Sequence, residues 1–286
     1  MHQPSSTRLN AGITLIELIT VMLLLGILAV GVTSYLRLGA TMYTEATSVQ
    51  QVLQQSRFAL ERVTREVRGA VPGSVRVSGN ANNSINCVEF APVAQSGVYR
   101  DLPLFPLNRD WIAVTTIDKD TDWSVNNNQR LVVYATDASH VYDLSQARSA
   151  DIATNQSAID DADGNAHTRR IRLLNNRPGQ TTFAMQSPQK RFYIANRPVS
   201  FCRQGNELHR YSNYGFSTAQ PLPPNVAGEL MAVGINNGND AMFRYADANV
   251  SLTRSAILHL FWRLNPAVDV GQDLSFNHEI HVPNVP

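Results

Sequence analysis

The sequence predicts an α+β protein in which one long N-terminal α-helix precedes an antiparallel, β-rich globular domain. Three observations predict it. From Ile13 to Leu36 a run of 24 residues carries a single charge, Glu17. From Met42 to Val67 apolar or small residues recur in alternating steps of four and three, the spacing of one helix face. Beyond Pro72 the pattern changes to short period-two runs separated by turn residues.

Composition supports a folded chain and narrows what it can do. With 286 residues, 43% hydrophobic and 16% charged, a sizeable core can form and a disordered chain is excluded. The 24 basic and 23 acidic residues leave a net charge of +1, so no electrostatic case exists for a nucleic-acid partner. Only Lys119 and Lys190 among the basic residues are lysine. Two cysteines are too few for a disulfide framework or a four-thiolate zinc site.

Taken in order, residues 1–12 form a polar leader, MHQPSSTRLNAG, ending in Gly12. The apolar run that follows would span roughly 36 Å as a helix, enough to cross a bilayer. It is longer than the apolar stretch of a cleaved secretory signal and passes without punctuation into polar helix. Glu17 is unusual there, because a carboxylate within an apolar span costs on the order of 3 kcal/mol, less near the interface, and is commonly functional or paired. The plain alternative is that Glu17 snorkels to the head-group region.

The next segment, residues 37–70, reads as an amphipathic continuation of the same helix. Met42, Ala46, Val49, Leu53, Ser56, Leu60, Val63 and Val67 make one stripe, on which the globular domain is expected to dock. Gln50, Gln54, Arg57, Glu61, Arg65 and Arg68 lie opposite, and Glu61 with Arg65 and Arg62 with Glu66 have i,i+4 spacing. The helix should end near Gly69, because Pro72 and Gly73 follow. In residues 71–286 the strand-like runs include INCVEFAPV, DWIAVTTID, QRLVVYAT, RFYIANRPVSFC and SAILHLFWRL. Val199 to Tyr211 reads as a hairpin turning at Gln204 to Glu207 with Gly205 and Asn206 at its tip. Ser145 to Thr168 and Asn213 to Gly228 read as long surface loops.

Gly12 followed by Ile13-Thr-Leu-Ile-Glu17-Leu and an unbroken apolar helix resembles the cleavage signal of type IV prepilins and pseudopilins. The resemblance implies a pilin-like fold, with a cleaved leader (1–12), an N-terminal helix (13–70, its 13–36 part transmembrane and later filament core) and a β-rich domain (71–286). It further implies cleavage by a membrane prepilin peptidase between Gly12 and Ile13, N-methylation of Ile13, and a role for Glu17 in assembly. Ile13 stands where the family usually has Phe, and the family's helix-weakening proline is missing. The implied partners are other pilin subunits, the prepilin peptidase and the inner-membrane pilus assembly machinery. The implied location is the inner membrane, single-pass with a periplasmic domain, and then an extracellular filament.

Physical chemistry gives that pattern a reason. Cleavage would expose the Ile13 amine, and an apolar filament core would then hold a cation and the Glu17 carboxylate, each costly to bury alone. A neighbour displaced along the axis can pair its amine with the existing subunit's carboxylate, so the pair reports axial register. Leu208-His-Arg210-Tyr is similar to minor pilins and pseudopilins. Cys87-Val-Glu-Phe-Ala-Pro-Val, Tyr99-Arg-Asp-Leu-Pro and the ending from His278 to Pro286 resemble more narrowly the minor pilins of MSHA (mannose-sensitive haemagglutinin) pilus biogenesis. The alternatives are a large minor pseudopilin of a type II secretion system and, from another class, a membrane-anchored periplasmic binding protein or enzyme. An exported domain would meet an oxidising compartment, so a bridge between Cys87 and Cys202 is expected over two buried free thiols.

Signals for catalysis are weak, and the chain reads as structural, without a cofactor. It has no GxSxG, P-loop, GxGxxG or HExxH. His278 and His281 are three apart in an extended segment, so their side chains face opposite ways and no metal site is expected. Asp160, Asp161, Asp163 and Asn165 around Gly164 lack the closing bidentate Glu of a calcium loop and read as an acidic turn, as do Asp118, Asp120 and Asp122.

Overall fold

In the computed structural model the described residues are 14–115, 124–153, 156–157, 168–174, 182–246, 256–264 and 274–282. A 54-residue helix, α1 (Leu15–Arg68), opens the chain. Strands follow as β1 (Arg76–Gly79), β2 (Ile85–Phe90), β3 (Val93–Asp101), β4 (Trp111–Thr115), β5 (Ser124–Val125) and β6 (Arg130–Val132). After a short helix α2 (Ala138–Tyr142) come β7 (Ser149–Asp151), β8 (Gln156–Ser157), β9 (Thr168–Arg172), β10 (Arg191–Ala195) and β11 (Val199–Gln204). The chain continues through β12 (Glu207–Tyr211), β13 (Glu229–Ala232), β14 (Phe243–Ala246), β15 (Ala256–Leu264) and β16 (Leu274–Val282). The α+β layout expected from the sequence is the one observed.

The strands form more than one sheet. One sheet has the order β1-β2-β11-β12-β13, a second β7-β6-β10-β3-β4-β9, and a third β14-β15-β16, with β5 and β8 paired separately. Their ladders are antiparallel. Contacts divide the chain into two compact units, up to Gln51 and from Val52 onward.

Within the second unit, the end of α1 shares a core with the first and third sheets. Ala59, Val63 and Val67 pack with Val88, Phe90, Phe201, Leu208, Leu258, Leu260, Trp262 and Ile280, and Val52 and Leu60 pack at its margin. Of the expected stripe, Leu60, Val63 and Val67 pack in this core and Ser56 is buried, while Val52 and Ala59 join from outside it, and Gln54, Arg57, Glu61, Arg65 and Arg68 are exposed opposite. Met42 and Ala46, at the head of the stripe, are exposed. β15 alternates strictly, with Ala256, Leu258, Leu260, Trp262 and Leu264 inward, as its period-two sequence requires. The second sheet has its own core, built on Ile112, Leu131, Ile171, Phe183, Phe192 and Ile194.

Turns are where glycine is needed. Gly73, at φ +75°, ends the exit from α1, and a Cβ there would lie 2.8 Å from the Ala135 carbonyl oxygen. Gly205, at φ +59°, sits at the tip of the β11–β12 hairpin, which closes on the expected Gln204↔Glu207 pair.

Two expectations need correction. The stretch from Ser145 contains strand β7, because Ala150 and Ile152 are fully buried beside β6 and the Arg130 guanidinium donates to Asp151 at 2.6 Å. Two buried apolar residues in a polar stretch were too little period to read. The run Gln129 to Thr136 is strand only over Arg130–Val132, since Tyr134 adopts φ +50° and α2 follows. The acidic turn around Gly164 and the one at Asp118 to Asp122 lie outside the described residues.

Candidate functional site

The N-terminal determinant is built on the first turn of α1. Thr14 opens the helix: its carbonyl accepts from the Glu17 and Leu18 N–H groups at 3.1 and 3.2 Å, and its Oγ1 lies 3.4 Å from the Glu17 nitrogen. Thr14 and Glu17 thus have the spacing of a capping box, in which a carboxylate in the first turn also meets the positive end of the helix dipole. Gly12 and Ile13 lie outside the described residues. The next charged residue along the helix is Arg37, about 30 Å away at 1.5 Å per residue, so Glu17 stands without a cation within its own apolar segment.

Among the described residues, those that follow Glu17 along the helix as far as Ser34 are apolar or internally satisfied. Thr20 Oγ1 donates to the Glu17 carbonyl at 2.9 Å, Thr33 to Ala29 at 2.7 Å and Ser34 to Val30 at 3.0 Å. These hydroxyls present no unpaired donor to a hydrocarbon surrounding. Leu15, Ile16, Met22, Leu23, Ile27, Leu28 and Val30 are exposed on all sides of the helix. The helix is long and apolar enough to cross a membrane, and none of its apolar window is buried.

In the second unit the expected Arg62–Glu66 pair forms at 2.9 Å and extends further. Arg210 on β12 reaches Glu66 at 3.1 Å, and Glu229 on β13 approaches both Arg62 at 3.5 Å and Arg210 at 3.6 Å. Sequence spacing supplied the helical half of this cluster. The strand half depends on how β12 crosses α1, which no local pattern encodes.

Cys87 and Cys202 are joined by a disulfide between directly opposed residues of β2 and β11, with Cα atoms 4.1 Å apart and both side chains fully buried. They share a face of the first sheet with Glu89, which is wholly buried against Arg76 at 2.8 Å. Tyr214 completes the group, bonding Ser200 at 2.5 Å and donating to Glu89 at 3.3 Å, while Gln204 bonds Tyr211. Burial pushes the Glu89 carboxyl above its ordinary range, outweighing the lowering by Arg76. Burial and the Glu89 charge push the Tyr214 hydroxyl up as well.

The stretch Asn213 to Gly228, expected as a surface loop, covers this face. Gln220 Nε2 donates to the Cys87 carbonyl at 3.0 Å, and Arg76 donates to the Ser217 and Thr218 carbonyls at 2.8 and 2.7 Å. Phe216 lies under the Arg130 guanidinium, and Arg76 stacks on Tyr142. The preference for arginine over lysine noted in the sequence has a structural use here, since only a planar guanidinium can stack and donate laterally at once. That bias was the signal available in advance. His278 and His281 fall on opposite faces of β16, as expected.

Compared with protein-family models, with curated proteins and with solved structures, the chain has no match in any of the three.

Proposed function

We propose that this chain is a minor type IV pilin of the MSHA class, most similar to the MshO-type biogenesis protein, which is cleaved after Gly12 and incorporated into a filament at its tip or during initiation of assembly. The observation that carries the reading is Glu17, alone in the first turn of a helix whose first apolar stretch, from Leu15 to Leu36, is exposed among the described residues. A simple anchor needs the apolar span but not that carboxylate beside a Gly12-Ile13 junction. The disulfide-bridged β domain carried behind the helix suits an oxidising, exported setting. Any adhesive role belongs to that domain's loops.

A second reading is favoured by the Thr14 contact, in which Glu17 serves only to start the helix. A membrane-anchored periplasmic binding protein or enzyme would need no more than this. The test compares Glu17→Ala with Glu17→Gln, since glutamine also serves a capping box but cannot pair with an amine cation. Both variants should insert, be cleaved to an Ile13 terminus detected by mass spectrometry, and be depleted from sheared filaments, because an unpaired buried charge costs roughly 3–5 kcal/mol. Filament content retained by Glu17→Gln and lost by Glu17→Ala assigns Glu17 to capping. An intact Met1 terminus in cells containing a prepilin peptidase rejects the pilin reading. Recovery of the chain with a type II secretion system, and not with a pilus, selects the pseudopilin alternative.

A further inference from the structure

The β2–β3 and β10–β11 segments each leave one sheet and enter the other, turning side by side at Ala91–Pro92 and at Asn196–Arg197–Pro198. At this corner a cleft of about 370 Å³ opens, lined by Asn126, Asn128 and Gln129 of the β5–β6 turn, by Asn196 and Arg197, and by the end of β12 from Arg210. Its volume falls within the range of small-molecule sites.

The amide groups at this corner are oriented by donors that cannot accept. The Asn126 N–H donates to Gln129 Oε1 at 3.0 Å and the Asn128 N–H donates to Asn126 Oδ1 at 3.0 Å. With its oxygen thus identified, Gln129 donates through Nε2 to Asn196 Oδ1 at 2.9 Å. Arg197 Nη2 donates to Asn128 Oδ1 at 2.5 Å. Backbone N–H groups and guanidinium only donate, so the oxygens of these four amides are assigned and each accepts a hydrogen bond within the corner. Beside the Ser212 hydroxyl and the Asn213 amide, these groups offer an occupant donors: the Nδ2 groups of Asn126, Asn128 and Asn196, and the rest of the Arg197 guanidinium. Arg210 is already committed to Glu66 and to Ser212 Oγ at 3.3 Å. No carboxylate and no aromatic ring lines the cleft among the described residues.

We propose that this corner binds a small organic carboxylate, with Arg197 supplying the charge and the asparagine amides donating to its oxygens. Guanidinium matches a carboxylate in plane, and Asn128 holds that guanidinium in place. One uncommitted cation among neutral amides suits a monoanion and leaves a dianion undercompensated. Among the described residues no carboxylate in the lining repels an acid.

The test is calorimetric titration of the full-length protein in a non-saccharide detergent with D-glucuronate, D-glucose and sulfate, each up to about 10 mM. Glucuronate and glucose share a ring and differ in the carboxylate. Saturable binding of glucuronate at one site is expected, with glucose at least about tenfold weaker for the loss of one charge-assisted hydrogen bond and sulfate at least about tenfold weaker as an undercompensated dianion. Asn128→Asp and Asn196→Asp keep the oxygens that accept from Arg197 and Gln129 and replace outward donors by carboxylate oxygens, so each should weaken glucuronate at least about tenfold. Arg197→Gln should do the same. Glucose binding as tightly as glucuronate overturns the proposal, as does sulfate binding equally, which marks a general anion site. No saturable glucuronate binding, or unchanged affinity in all three variants, also overturns it. The ligand selectivity of the unmodified protein decides the matter even where a variant does not fold.

Discussion

Leu15–Gln51 and Val52–Arg68 are consecutive parts of one helix, yet Leu15 is 78% exposed and Ile27 64%, while Ala59, Val63 and Val67 are 0% exposed. From Leu15 to Leu36 the first part is apolar all round, a distribution that no single docking face could bury and that suits surroundings apolar on every side. The second part confines its apolar residues to a stripe and offers Gln54, Arg57, Glu61 and Arg65 to water. Backbone hydrogen bonding is the same in both. The distribution of side chains around the axis decides whether a helix belongs to its own domain or to a different environment.

The largest expected effect breaks this contrast directly. Val63→Asp buries an unpaired carboxylate in the shared core and should destabilise the domain by on the order of 5 kcal/mol, read as loss of the urea transition or failure to accumulate. Leu25→Asp places the same charge in the first part. It should leave the domain's urea midpoint unchanged while lowering membrane insertion by about 3 kcal/mol on translocon scales. Equal effects of the two on domain stability would erase the distinction.

A somewhat smaller effect is expected from the disulfide, which belongs to the second unit alone. Cys87 and Cys202 close a loop across a sequence separation of 115. Replacing both by Ser should cost up to about 4–5 kcal/mol in the chain-entropy model. The readout is the urea midpoint of the domain beside the membrane-inserted fraction, with only the first expected to change. Non-reducing alkylation should find both thiols protected in exported protein.

The smallest effect sharpens the contrast between two carboxylates, Glu17 in the span and Glu89 in the domain. Glu89 titrates above its ordinary 4.5 because burial outweighs the attraction of Arg76. The folded state therefore holds the proton more readily than the unfolded chain. This contribution to stability is complete below the unfolded value and declines as pH rises through the folded one. Glu89→Gln should flatten that decline in a series of urea midpoints against pH, at a cost of about 1 kcal/mol, since Arg76 keeps its bonds to Ser217 and Thr218. A steeper decline in the variant would reverse the assigned sign.

Legibility followed the range of the interactions involved. The helix end at Arg68, the Gln204–Glu207 turn and the inward face of β15 could be read because each depends on residues within a few positions. β7 could not, since Ala150 and Ile152 become a strand edge only where β6 offers partners. The cover from Asn213 to Gly228 is polar by composition, and its bonds go to Arg76 and Cys87, more than a hundred residues earlier. Of the candidate site, Glu17 and the cysteine pair were visible, and the amide-lined corner was not. Asn126, Asn128 and Asn196 look like ordinary turn residues until two sheets meet over them.

By itself the sequence determined that this chain has an apolar helix with one carboxylate in its first turn, a stripe that takes over beyond it, and a period-two remainder. Helical hydrogen bonds close within four residues and period-two alternation is a property of neighbours, so both are written locally. Only the tertiary structure decided the division into separate sheets, the joining of Glu66 to Arg210 and Glu229, the cover over the disulfide and the donor-lined corner. Strand partners are chosen by shared burial of faces far apart in the chain, and that choice has no local signature.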